Sequence, residues 1–129
     1  MAWVDIVALL AILQLVVFGV LVARARGLYG VAAPATSGHP VFERYFRVQM
    51  NTVETLLAFL PALWIAARYW PPVYAALVGA VYLVGRVLYL RSYVRDPKSR
   101  TLGFSLSMLP ILALVLAALV GALRALLKG

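Results

Sequence analysis

Apolar residues occupy four long stretches of this chain, and polar residues collect between them. A helix needs roughly 20 predominantly apolar residues to cross about 30 Å of hydrocarbon. The pattern predicts four spans, at about 3–22, 48–69, 73–90 and 102–123. The first stops at Arg24 and Arg26. The second is broken by Pro71-Pro72, because proline lacks an amide proton and restricts the residue before it. Pro110 predicts a kink in the fourth. The segment from Gly27 to Val41, with Gly30, Pro34, Gly38 and Pro40, is expected to be irregular. Asp96-Pro97 is expected to open a helix, with Asp96 capping free amides and Pro97 in the first helical position. Short links force neighbouring helices antiparallel. The expected fold is therefore all-α, an integral-membrane up-down four-helix bundle, with residues 1–129 forming one four-span domain. The first stretch reads as a span, although Ala23-Arg24-Ala25 faintly resembles a cleavage site. No basic residue precedes it, Asp5 stands there instead, and it is long for a signal peptide.

Composition agrees. Of 129 residues 65% are hydrophobic and only 12% charged, about half the charged share of a soluble domain. With no cysteine and one histidine, His39, the chain offers no disulfide framework, no thiolate metal site and no metal cluster. His39 itself, between Gly38 and Pro40, is expected to be a solvated loop residue. The net charge is +8, but the basic residues lie between apolar runs, which is a topology pattern and not a nucleic-acid surface.

Lys and Arg bias sets orientation. Arg24, Arg26, Arg44 and Arg47 flank the first connection, and Arg91, Arg95, Lys98 and Arg100 the third, whereas the second has only Arg68. Loops 1 and 3 are expected on the cytoplasmic side and both termini on the other, with Trp3, Tyr69, Trp70 and Tyr74 in the far interface; Arg124 and Lys128 dissent mildly. A bacterial chain of this type would sit in the inner membrane.

Ionisable residues inside spans are costly and face protein or water. Arg47, Asn51 and Glu54 fall within roughly 60° of one another on a helix. Tyr82, Arg86, Tyr89 and Tyr93 form a second one-sided stripe, and both approach the end where Arg100 lies. Glu54 can pair with Arg47 or Arg86, which would simply tie helices together. One carboxylate cannot neutralise Arg47, Arg86 and Arg100 together, with Arg24 and Arg26 at the same depth. The surplus suits an anion with hydrogen-bonding groups, held where water meets lipid. Ser105 and Ser107 are expected to bond their own helix carbonyls. Gly79, Gly85 and Gly121 can permit close helix approach, although no strict small-xxx-small pair occurs.

The stretch Phe42-Glu43-Arg44-Tyr45-Phe46-Arg47-Val48-Gln49-Met50-Asn51-Thr52-Val53-Glu54 resembles the second-helix signature of the MAPEG family, membrane-associated proteins of eicosanoid and glutathione metabolism. Gly85-Arg86-Val87-Leu88-Tyr89-Leu90-Arg91-Ser92-Tyr93, followed by Pro97-Lys98-Ser99-Arg100, is similar to its third-helix region. The resemblance covers essentially the whole chain. It implies a homotrimer that binds glutathione as co-substrate between neighbouring subunits near the cytoplasmic face. It implies that Glu54 holds the glutathione amino group and Arg47 a carboxylate, with Asn51, Gln49 and Arg24 as further ligands and Tyr89 and Tyr93 closing over the tripeptide. Arg100 matches the arginine that activates the thiol, and Arg86 an arginine of structural role. Two positions depart from the leukotriene-forming members: Thr55 replaces a tyrosine and Ala25 an arginine, which favours a general transferase.

The implied function is a membrane-bound glutathione transferase of the microsomal type, with glutathione peroxidase activity open. Its glutathione thiolate would attack a lipophilic electrophile or lipid hydroperoxide arriving from membrane lipid. A non-catalytic lipid-binding scaffold of the same family is the alternative. A small multidrug transporter fits less well, because the first span offers only Asp5 and Gln14 in place of an embedded glutamate.

Overall fold

A computed structural model describes all residues, 1–129. Four helices follow one another: α1 (Ala2–Tyr29), α2 (Pro40–Tyr69), α3 (Pro72–Arg95) and α4 (Thr101–Lys128), with a 3-10 turn (Pro97–Ser99) between the last two. At 1.5 Å rise per residue they are roughly 36 to 45 Å long, more than the hydrocarbon thickness. All four are long and apolar enough to cross a membrane. Apolar side chains cover the outside: Leu9, Leu13, Leu57, Leu77, Leu109 and Leu116 are all exposed. In water that surface would aggregate; in lipid it is solvated. The protein is an all-helical, multi-pass membrane bundle.

α1 packs on α2 and α3, and α4 packs on the same two, so α2 and α3 form the middle of the bundle. The core is made mostly of small residues with a few large ones. Ala8, Ala11, Ala62, Ala66, Ala75 and Ala118 are buried around Phe59, Leu63 and Tyr82. Between lipid-solvated helices, association depends on close packing, and small side chains permit it. Gly85 faces the backbone of Leu106 and Ser107, and Gly103 the backbone of Tyr89, with no room for a Cβ at either. These two glycines draw α3 and α4 almost into backbone contact. Gly79 lies against Val7 and Leu63, and Gly121 against Tyr69.

Several local expectations are corrected. The first connection is shorter than its glycines and prolines suggest. α1 continues through Arg24 and Arg26 to Tyr29 and stops where Gly30 turns left-handed at φ 67°. α2 begins at Pro40, well before the apolar run. Its cap is His39, whose Nδ1 accepts from the Val41 amide at 3.2 Å while its ring stacks on Tyr29 at 4.1 Å. His39 is thus a capping residue, not a free loop residue. Asp96 does cap amides, accepting from the Lys98 amide at 3.1 Å, but the turn it opens is the 3-10 segment. α4 starts only at Thr101 and runs on through Pro110, as α2 runs through Pro61.

Candidate functional site

The polar stripe of α2 splits into two environments. Arg47 and Glu54, seven residues apart, lie on the outer surface, where Arg47 Nη1 donates to Glu54 Oε1 at 3.4 Å. Their side chains are 54% and 58% exposed, and this is the chain's one ion pair. Glu54 pairs with Arg47 and not with Arg86. Asn51, between them, leans inward and accepts from Arg86 Nη1 at 2.7 Å.

Arg86 is the centre of the construction, and it is wholly buried. Its Nε donates to Ser107 Oγ at 2.9 Å, and its Nη1 also reaches Thr52 Oγ1 at 3.2 Å. Its guanidinium lies 4.5 Å from the ring centroid of Tyr89 and 5.9 Å from that of Tyr82. One cation thereby joins α2, α3 and α4. No carboxylate meets it, and its Nη2 is buried without a partner. Aromatic faces and hydroxyl oxygens are what compensate its charge. The hydroxyls are held in turn by their own helices: Ser107 Oγ donates to Gly103 O at 2.7 Å and Thr52 Oγ1 to Val48 O at 2.8 Å. Ser105 forms no such bond, so the expectation for the two serines holds for one of them. Gln14 also turns inward, donating from Nε2 to Leu83 O at 2.9 Å, which makes it a tie between α1 and α3.

Tyr89 is 4% exposed, lodged against Phe18 and Val48, and it stacks on Tyr93 at 5.4 Å. The Arg86 guanidinium lies against its ring. The structure thus gathers Arg47, Asn51, Glu54, Tyr89, Tyr93 and Arg100 at one rim of the bundle. Arg100 sits there exposed, at the junction of the 3-10 turn and α4. Arg44 reinforces the rim by donating to Val94 O at 3.0 Å, which binds the start of α2 to the end of α3.

Two expected site residues stand apart. Gln49 is about 200° around α2 from Arg47 and faces α1. A Cβ built on Gly19 of α1 would lie 3.1 Å from its Nε2. Arg24 is exposed and lines a cleft of about 230 Å³ with Tyr29 and Tyr45, on the same α1 side. Both residues thus lie on the α1 side, away from the face that carries Arg47 and Glu54. Thr55 is buried too. It donates to Thr52 O at 3.1 Å, and its hydroxyl shares a 2.8 Å hydrogen bond with Tyr82, whose ring stacks on Phe59 at 3.9 Å. The Thr55 position therefore belongs to the core and not to the open face.

The model of the MAPEG family matches residues 4–120. The chain is 45% identical to an uncharacterized protein of Synechocystis sp. over 121 residues, 94% of this chain and 88% of the relative. It is 44% identical to human microsomal glutathione S-transferase 2 over 117 residues, covering 91% and 78%. Mouse leukotriene C4 synthase is 38% identical over 131 aligned positions, covering 97% and 87%. With a match this long, to relatives this similar, the chain belongs to the MAPEG family.

Proposed function

We propose that this protein is a membrane-bound glutathione transferase that conjugates lipophilic electrophiles. The observation that carries the reading is a surplus of guanidinium groups at one end of the bundle, Arg86 buried against the Tyr89 ring at 4.5 Å and Arg100 exposed without a carboxylate, beside a single, loose Arg47–Glu54 pair. Glutathione is a tripeptide anion with an amino group at one end. At 3.4 Å and half-exposed, the Arg47–Glu54 pair is weak and can open. A zwitterionic γ-glutamyl end then gives each partner a better one: its ammonium to Glu54, its carboxylate to the planar fork of Arg47. Asn51, its oxygen taken by Arg86, offers its amide N–H groups. Tyr93 and Tyr89 form the wall.

Arg100 is exposed and has no carboxylate partner. A guanidinium beside the sulfur favours the thiolate, and each pKa unit of lowering corresponds to about 1.4 kcal/mol. The thiol proton passes to water at the rim. The sulfur forms a bond to an electrophilic carbon, and the leaving group departs with its electron pair. Fixed geometry contributes the remainder through proximity.

Arg24 and Gln49 join this scheme through a second copy. The position of Gln49 across α2 from Arg47, and of Arg24 on the neighbouring α1, supports a site shared between subunits, in the homotrimer that the family resemblance implies. The Lys and Arg bias supports a cytoplasmic location for this rim, where a soluble thiol is met.

Calorimetric titration of the detergent-purified protein with glutathione tests the reading. Saturable binding that is lost in Glu54→Ala supports it; absence of any glutathione affinity in the wild type leaves the lipid-binding scaffold.

A further inference from the structure

One face of α3, turned away from Tyr89, is not used by this chemistry. Leu77, Val81, Val84 and Leu88 recur at intervals of four, three and four, and so fall on one stripe. The first three are exposed. The same stripe ends in Arg91 and Arg95, which neither donate a hydrogen bond within the chain nor meet a carboxylate. Asp96, next to them in sequence, is engaged with the Lys98 amide.

The arginines border a cleft of about 450 Å³, with Leu88 and Leu102 as apolar wall and Ser92 and Ser99 at its polar end. The fold makes this cleft. Gly85 and Gly103 hold α3 and α4 together below it, while the link from Asp96 to Arg100 bridges them above. Both serine hydroxyl protons point inward, to Leu88 O at 2.6 Å and to Ser92 O and Asp96 O at 3.0 and 2.8 Å. The two guanidinium groups are therefore the donors facing the cleft.

We propose that this stripe holds one anionic phospholipid, its phosphodiester between Arg91 and Arg95 and an acyl chain laid along Leu88, Val84, Val81 and Leu77. Charge complementarity selects the headgroup. A bidentate guanidinium matches two phosphate oxygens, and the level at which α3 changes from apolar to basic is the level at which lipid phosphates lie. The unbroken apolar track below the arginines selects a lipid over a free phosphate. A bound lipid here would brace the α3–α4 junction, from which Arg100 projects.

Native mass spectrometry of the full chain in detergent, titrated with dioleoylphosphatidylglycerol or dioleoylphosphatidylcholine, tests the assignment. The wild type is expected to hold one phosphatidylglycerol about tenfold more tightly than phosphatidylcholine. Arg91→Gln with Arg95→Gln brings the two lipids to near parity. Arg124→Gln with Lys128→Gln, at the opposite rim, leaves the preference in place. Glycerol 3-phosphate at millimolar concentration does not displace the lipid. Equal affinity for both lipids in the wild type overturns the proposal without recourse to any variant. So does a preference that survives the Arg91/Arg95 change or falls equally with the Arg124/Lys128 change. Displacement by glycerol 3-phosphate would reassign the cleft to soluble phosphate. None of these outcomes depends on glutathione binding.

Discussion

Arg86 Nη1 donates to Asn51 Oδ1 at 2.7 Å, and that bond decides which end of the Asn51 amide faces outward. Arginine has donors only, so the asparagine atom it meets is the oxygen. The amide nitrogen is left for the open face, where it can serve an acceptor such as a carboxylate or peptide carbonyl. A buried cation thus sets the hydrogen-bond polarity of a half-buried residue.

Removing that cation should damage the whole bundle. Arg86→Ala leaves Asn51, Thr52 and Ser107 without their common donor and opens a cavity among three helices. A stability loss of about 3 kcal/mol or more is expected. Thermal unfolding in detergent, followed by circular dichroism, measures it. A melting temperature equal to that of the wild type would show that the network carries no stability.

Glu54 should behave in the opposite way. Its ion pair with Arg47 is half-exposed, so Glu54→Gln is expected to change stability by no more than about 1 kcal/mol. A charge-assisted bond to an ammonium is worth about 1.5–3 kcal/mol, so glutathione affinity should fall roughly tenfold or more in the same variant. A melting scan and a titration on one preparation separate the two roles. Large destabilisation with intact affinity would make Glu54 a structural residue.

Arg100→Ala should leave glutathione bound but return its thiol toward the ordinary pKa near 8.5. The sign follows from charge. A cation stabilises the thiolate, so losing it moves the appearance of thiolate absorbance to higher pH. Each unit of displacement reports about 1.4 kcal/mol. An unchanged titration curve would remove Arg100 from thiol activation.

If Arg24 and Gln49 act across a subunit boundary, inactive variants should rescue one another. Chains carrying Arg24→Ala with Gln49→Ala, co-assembled with Glu54→Ala chains, should regain glutathione binding at the boundaries where intact faces meet. Binding per chain that stays at the level of the separate variants would place all the ligands within one subunit.

Gly103→Ala is a purely steric test. The added methyl meets the backbone of Tyr89, which cannot rotate away as a side chain would. α3 and α4 must separate, at a cost of about 1–3 kcal/mol, and Tyr89 must shift with them. Reduced melting temperature together with weakened glutathione binding is expected; Ala at exposed Gly27, where nothing lies within 4 Å, serves as the neutral control.

Much of this protein is legible along the chain because lipid imposes a one-dimensional rule. Every backbone polar group in hydrocarbon must be satisfied within its own helix, so a long apolar run can only be a span. The number of helices, their alternation and the one-sided stripes of Arg47, Asn51 and Glu54 and of Arg86, Tyr89 and Tyr93 all follow from spacing. The helix ends do not. Hydropathy marks the lipid boundary, whereas α1 and α2 continue past it into water until Gly30 and His39 stop them, and nothing apolar signals that extension. Pro40 in the first turn is a readable start signal, whereas the His39 cap, accepting from the Val41 amide, belongs to no usual capping residue type.

Spacing alone determined that a surplus of cations would crowd one end of a helical membrane bundle, because charge and periodicity are properties of the chain. It could not determine which cation would be buried and which would face water. That depended on Ser107, Thr52 and two aromatic rings brought from three helices around Arg86, and on Gly85 and Gly103 letting α3 and α4 close upon it. Burial of a guanidinium is favourable only where donors meet acceptors at hydrogen-bond distance, and such distances are set by tertiary packing alone.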